Sequence, residues 1–128
     1  METETALAHE LELAPTASEC TASLNALEDA LYVIGGKWKL KVIIALRESD
    51  TKRFNELQRR IPGISAKMLS SELKDLELNG FVTRTVHDLT PVVVEYELTE
   101  YSASLSPVLK ELVDWGKMHR VKIREMRS

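Results

Sequence analysis

Four polar side chains recur at helical spacing in the middle of the chain. They lie at positions i, i+3, i+4 and i+7, which places them on one side of an α-helix, while leucines occupy the other side. Short hydroxyl side chains allow a backbone to approach another molecule closely, and lysine ammonium groups reach phosphates or the edges of guanine bases. This spacing suits binding of a nucleic acid through one helix face, and a generic polar helix face is the alternative unless the flanking turn and strands favour the first reading. The four residues are Lys67, Ser70, Ser71 and Lys74.

Residue types that would support catalysis are sparse. The three histidines, His9, His87 and His119, are scattered along the chain, which contains no CxxC or HExxH motif. No glycine-rich loop follows a strand to hold a phosphate group. We therefore expect no enzyme activity, no metal site and no cofactor.

Charge is divided unevenly along the chain, although the net value is only −3. Residues 1–36 contain seven acidic residues and no Lys or Arg. Residues 37–87 contain eleven Lys and Arg against six Asp and Glu, an excess of five positive charges, and residues 88–128 contain six against seven. The positive excess coincides with the polar helix face, which favours an anionic partner for that segment.

Length and composition indicate a single soluble domain. A chain of 128 residues can bury a substantial core, and no apolar run approaches the roughly 20 residues of a membrane span. The N-terminus METETALAHELELAP lacks the basic start and apolar core of a secretory signal. We expect a cytoplasmic location and no membrane partner, and the single Cys20 agrees with a reducing compartment. Residues 1–22 are expected to form a flexible acidic arm and residues 23–128 one domain.

Two helices are expected before the polar face. Ser23 can cap a first helix, which the glycines at 35 and 36 end. A second helix is expected over about residues 38–46, with Lys39 and Lys41 in solvent.

The next segment has the pattern of a helix-turn-helix. Asn55 and Gln58 have the spacing of a capping box for a short third helix that ends near residue 60. Pro and Gly at 62–63 cannot continue it, and Ser65 can cap a fourth helix that ends at residues 79–80. A connection of this length is typical of the helix-turn-helix.

Two strands and a last helix follow. Residues 81–87 and 92–98 are expected to form strands joined by a tip at 88–91, and together they would form a β-wing packed on the helices. The predicted fold class is mainly α (α+β), a winged helix-turn-helix with a two-stranded β-wing and N- and C-terminal dimerisation helices. Thr99 is expected to cap the last helix, at about 100–125, and Pro107 to lie inside it and kink it.

The last helix carries a broad apolar stripe. Because the stripe exceeds what a small wing can cover, we expect it to pair with its copy in a second subunit, alongside the first helix, to form a homodimer. Folding of this helix onto its own core is the alternative. A pocket between dimer helices would suit an apolar small-molecule effector, although aromatic residues such as Tyr32, Trp38 and Trp115 more often serve as core. The stripe residues are Leu105, Val108, Leu109, Leu112, Trp115 and Met118.

Several segments, in order, resemble the HxlR-type winged helix-turn-helix transcription regulators of bacteria and archaea. They are ALYVIGGKWKLKVIIAL, RFNELQRRIPGISAKMLSSELKDLELNGFV and EYELTEYSASLSPVL, which together span roughly residues 25–116. The resemblance implies a homodimer that binds double-stranded DNA at a pseudo-palindromic operator. Each recognition helix would enter a major groove, and each wing would lie over the backbone or minor groove.

The resemblance also assigns roles to residues by position. Arg53 and Asn55 would contact phosphates, and Arg84 and His87 would support the wing. The residues that would read the major groove are Ser65, Lys67, Met68, Ser70, Ser71 and Lys74.

The chain departs from the family pattern in two places. Relatives often carry a basic residue in the returning wing strand, where this chain has valines at 92–94. Many relatives carry a cysteine at the position of Asn25, whereas Cys20 lies five residues earlier. A redox- or electrophile-sensing role for Cys20 is left open, although the nearby acidic residues oppose formation of a thiolate.

Three functions remain to be separated. The first is a sequence-specific DNA-binding transcriptional regulator. The second is a sensor regulator that responds through Cys20 or an interhelical pocket. The third is a winged helix that binds only proteins, which would not need the basic stripe. The sequence does not reveal the operator, the effector, or whether transcription is activated or repressed.

Overall fold

The computed structural model describes residues 16–49 and 52–128, and most of the expected N-terminal arm lies outside them. The mainly helical class and the two-stranded antiparallel sheet are confirmed. The chain divides after Gly36 into two units, which are described separately. In chain order the elements are α1 (Ala17–Ile34), α2 (Lys39–Glu48), α3 (Phe54–Arg60), α4 (Ala66–Leu78), β1 (Val82–His87), β2 (Val93–Leu98), a 3-10 helix (Glu100–Leu105) and α5 (Ser106–Arg127).

Helix α1 begins earlier than predicted. Its N-cap is Thr16, whose hydroxyl accepts from the Glu19 backbone amide at 3.2 Å, while the Glu19 carboxylate accepts from the Thr16 amide at 3.0 Å. This capping box satisfies two backbone donors, so the helix begins at Ala17 and the prediction that Ser23 caps it is wrong. The predicted stop is confirmed, since Gly36 has a φ of 89° that few other residues adopt.

Leucines of α4 lie at the centre of the second unit. Leu69, Leu73 and Leu76 are buried, and α4 packs against α2 and β1. Each fully buried leucine contributes roughly 1.5 to 3 kcal/mol of transfer free energy. The other large, fully buried side chains are Val42, Ile43 and Leu57.

The wing is a hairpin extended by a third segment. Strands β1 and β2 pair antiparallel from Val82 opposite Leu98 to His87 opposite Val93. On the other edge of β2, Arg53 bridges to Glu95, and the Tyr96 amide donates to the Lys52 carbonyl at 2.8 Å. The chain just before α3 is therefore fixed to the sheet, which ties the wing to the helix-turn-helix.

This pairing explains why the predicted cap of α3 is wrong. The N-cap is Arg53, which makes no side-chain capping bond, and Asn55 lies within the first turn. The Gln58 amide does not reach back, because it donates to the Ile64 carbonyl across the turn at 3.4 Å. Gly63 in that turn has a φ of 85°.

The C-terminal segment also differs from expectation. Thr99 caps the 3-10 helix, where its hydroxyl accepts from the Ser102 amide at 3.3 Å and donates to the Gly80 carbonyl at 2.6 Å. Helix α5 begins only at Ser106, so Pro107 lies in its first turn, where a missing amide hydrogen removes no helical bond. The predicted position of Pro107 inside the helix, with a kink, is therefore wrong.

The Ser65 cap of α4 is confirmed, because its hydroxyl accepts from the Met68 amide at 3.1 Å. We expect Ser65→Ala to lower the free energy of unfolding by about 1 kcal/mol, since one backbone donor at the helix start loses its partner. Chemical denaturation monitored by circular dichroism measures this change. Ser70→Ala is the matched control, because Ser70 is exposed and its hydroxyl bonds to no residue that the structure describes. Equal stability of the two variants would contradict the role of the cap.

Candidate nucleic-acid interface

The outer face of α4 is set by its buried side. Because Leu69, Leu73 and Leu76 face the core, residues about half a turn away must face outward. Lys67, Ser70, Ser71 and Lys74 are all exposed. Met68 is 38% exposed, and Leu78 continues the outer face at 76% exposure. The sequence analysis did not name Leu78, although its helical phase separates it from the three buried leucines.

One flank of α4 is joined to α2 by a three-residue ion cluster. The Lys39 ammonium lies 3.1 Å from a Glu72 carboxylate oxygen and 3.5 Å from an Asp75 oxygen. The Lys39 and Glu72 side chains are each only 14% exposed, so the prediction that Lys39 stays in solvent is wrong. The physical reason is that helix α4 brings two carboxylates against α2, and partly buried carboxylates need a cation.

The same cluster changes the titration of Lys39. Partial burial acts to lower the pKa of Lys39, but the hydrogen bonds and charges of Glu72 and Asp75 outweigh it, so the pKa is raised above 10.5. Asp75, whose side chain is 48% exposed, adjoins the exposed face of α4. Lys39 therefore neutralises negative charge that would otherwise repel a polyanion.

The opposite flank of α4 faces the wing across a cleft. Two cationic side chains from different elements line this cleft, Lys74 from α4 and Arg84 from β1. The remaining lining residues are Ser70, Glu77 and Tyr96. Sequence reasoning assigned Lys74 to the helix face and Arg84 to the wing, and the structure brings the two together.

His87 occupies a different environment from Arg84. Odd and even positions of a strand point to opposite faces, which separates His87 from Arg84 on β1. His87 Nε2 lies 3.5 Å from a Glu95 carboxylate oxygen, and its side chain is half-buried. The tip of the wing is apolar, with Leu89 and Val92 exposed.

The start of α3 presents further polar residues beside the turn. Arg53 and Asn55 are both exposed. Asn55 lines a shallow surface depression with Gln58 and Arg59, next to Gly63 in the turn. Arg59 was missed as a candidate, although its i+4 spacing from Asn55 placed it on the same helix side.

Within residues 16–49 and 52–128, no group of three His, Cys, Asp or Glu side chains could hold a metal ion. None of the helices in these residues is long and apolar enough to cross a membrane.

The family model described as HxlR-like helix-turn-helix matches residues 33–124, which is most of the chain. The chain belongs to the HxlR-like helix-turn-helix family. It is therefore a DNA-binding transcription regulator of the winged-helix type, and its relatives are named as transcriptional regulators rather than enzymes.

Individual members of the family match about two thirds or more of this chain. An HTH-type transcriptional regulator of Halalkalibacterium halodurans is 48% identical over 86 residues, which are 67% of this chain and 76% of that protein. The crystal structure of the regulator YtcD, a Bacillus subtilis protein, is 44% identical with a TM-score of 0.67 and covers 73% of this chain and 94% of that one. The redox regulator HypR in its reduced form is 40% identical with a TM-score of 0.66, and the match covers 78% and 98% of the two chains.

We expect Lys39→Met to lower the free energy of unfolding at pH 7 by about 1 to 3 kcal/mol, because Glu72 would remain partly buried without a cation. Lys39 is more basic in the folded protein than in the unfolded chain, so its contribution is complete below pH 10.5. This contribution to stability is lost as the pH rises through the raised pKa of Lys39 in the folded protein. The difference between wild type and variant should therefore shrink above pH 10.5 in denaturation experiments. Lys67→Met, at an exposed position of α4, is the control, and an equal loss in both variants would contradict this account.

Proposed function

We propose that this regulator binds double-stranded DNA sequence-specifically, as a homodimer on a pseudo-palindromic operator, with α4 in the major groove. The observation that carries the proposal is the outer face of α4, where lysines and serines are exposed while the leucines behind them are buried. A rigid helix with such a face fits the major groove, whose base edges offer donors and acceptors to side chains.

The proposed contacts follow the elements that carry them. Arg53 and Asn55 at the start of α3 contact phosphates, and Arg84 and His87 support the wing against the backbone. Of these, Arg53, Asn55 and Arg84 are exposed and His87 is half-buried. The proposed major-groove residues on or beside α4 are Ser65, Lys67, Met68, Ser70, Ser71 and Lys74, all exposed.

Lys67 offers the most direct test of this face. Genomic fragments selected by the purified protein supply the operator, and fluorescence anisotropy measures the affinity. If Lys67 contacts a base, Lys67→Ala weakens operator binding by about 1 to 3 kcal/mol and binding to unrelated duplexes much less. Lys117→Ala removes the same charge from an exposed position on α5 and is the control. Unchanged operator affinity in Lys67→Ala would show that the recognition face is misassigned.

The dimer proposal is supported by apolar side chains that the single chain leaves exposed. On α5, Val108, Leu112 and Trp115 fall on one side of the helix, and Leu112 and Trp115 are 47% and 60% exposed. On α1, Leu24, Leu27 and Leu31 are also exposed. We assign these faces to a second copy of the chain, because a pseudo-palindromic operator requires two identical recognition helices related by a two-fold axis.

Leu112→Glu tests the dimer. A charge within an apolar interface must be desolvated, so we expect this variant to be monomeric at micromolar concentration while wild type is dimeric. Size-exclusion chromatography with light scattering gives the molar mass. Lys117→Glu introduces the same side chain on a different side of α5 and should remain dimeric. A monomeric wild-type protein would contradict the proposed dimer.

The other two functions of the sequence analysis make different predictions. A winged helix that binds only proteins would show no salt-sensitive affinity for duplex DNA. A thiol sensor would lose its response to diamide when Cys20 is replaced by serine. Cys20 lies in the first part of α1 and is exposed. The related HypR is named a redox regulator. The same response in wild type and Cys20→Ser would exclude Cys20 as the sensor. We also propose that the regulator acts in the cytoplasm, and that a pocket between the dimer helices would hold an apolar effector.

A further inference from the structure

The cleft between α4 and the wing is lined by side chains suited to an anion. Its volume is about 260 Å³, less than the roughly 300 to 1,000 Å³ of pockets that hold drug-sized ligands. Lys74 and Arg84 line it from two different elements. A lysine point charge beside an arginine fork is a donor set suited to phosphate oxygens.

Two hydroxyl-bearing side chains complete the lining. Ser70 is exposed, one helical turn before Lys74. Tyr96 is only 8% exposed, and its hydroxyl bonds to no group among the described residues. An anion in the cleft would supply an acceptor for the Tyr96 hydroxyl.

Glu77 sets the charge of the anion that fits. With Lys74 and Arg84 positive and Glu77 negative, the cleft carries a net charge of about one positive unit. A phosphodiester in a nucleic-acid backbone carries one negative charge, whereas a phosphate monoester carries about −1.5 to −2 at pH 7. The cleft therefore matches a phosphodiester better than a free phosphate or a monoester.

We propose that this cleft binds a single backbone phosphodiester of duplex DNA, held jointly by Lys74 and Arg84. The proposal rests on the DNA binding described above and refines it, because Lys74 then holds the backbone instead of reading a base. A phosphate that is bound by both α4 and the wing fixes how far α4 enters the major groove. Sequence discrimination is left to Lys67, Ser71 and their neighbours on the outer face.

The test uses wild type, Lys74→Ala, Arg84→Ala and the double variant with a mixed-sequence duplex of about three helical turns, since a phosphate contact requires no operator. Anisotropy at several salt concentrations gives the affinity and its salt slope. Each single variant should lose about tenfold in affinity, and the double variant little more, because either loss opens the shared site. The salt slope should fall by roughly 0.9 in all three, the value for one phosphate.

Three further variants and one competition experiment test whether the phosphate binds in this cleft. Lys67 lies on the same helix outside the cleft, so on the operator fragment the loss of affinity in Lys67→Ala should multiply with that in Lys74→Ala. Tyr96→Phe should weaken binding to the duplex, and Glu77→Gln should strengthen it, because the removed carboxylate opposes the anion. Inorganic phosphate at constant ionic strength should not compete with DNA.

Each contrary result has a distinct meaning. If wild type shows no salt-sensitive binding to duplex DNA, both the proposed function and this inference fail. Wild type could instead bind while the affinity losses of Lys74→Ala and Arg84→Ala multiply and the changes in their salt slopes add. In that case the two residues contact two separate phosphates, and only the shared site is overturned. Saturable competition by inorganic phosphate, absent in Lys74→Ala, would overturn the assignment to the DNA backbone.

Discussion

The burial of three leucines of α4 is the constraint on which the rest of the interface depends. Leu69, Leu73 and Leu76 fix the rotation of the helix about its axis, and that rotation decides which residues face outward. A rotation of the helix by about 100° would replace each exposed residue with its chain neighbour. The apolar core and the exposed polar face of α4 are thus two consequences of one packing arrangement, and under the proposed function stability and DNA recognition are coupled through it.

The two flanks of α4 use charge in opposite ways. On the side of α2, Lys39 pairs with Glu72 and Asp75 and so offsets one of their two negative charges. On the side of the wing, Lys74 and Arg84 line a cleft together, and both are exposed. This division explains how a chain with a net charge of −3 can present a cationic surface. The packing of β1 on α4 holds the wing beside this helix, and the edge pairing of residues 52–53 with β2 ties the wing to the start of α3.

Local signals predicted much of this fold, and long-range pairings account for two of the four wrong predictions. The Ser65 cap and the leucine side of α4 depend on residues within a few positions of each other, and both are as expected. The start of α3 and the environment of Lys39 depend on partners far along the chain, in β2 and α4. The same limit applies to the site: the exposed stripe could be predicted from helical spacing, but the approach of Arg84 to Lys74 requires the wing to fold against α4. The start of α1 was missed for a local reason, because the Thr16 and Glu19 capping box precedes the apolar repeat.

The central claim is that two copies of α4 read two half-sites on one side of the DNA. Hydroxyl-radical footprinting of a genomic fragment selected by the purified protein tests it most directly, since protected sugars mark where each helix-turn-helix and wing contact the backbone. The expected result is two equivalent protected regions related by a dyad, with centres about one helical turn or a multiple of it apart. A single protected region without a dyad, or no protection at concentrations that bind the fragment, would contradict the account.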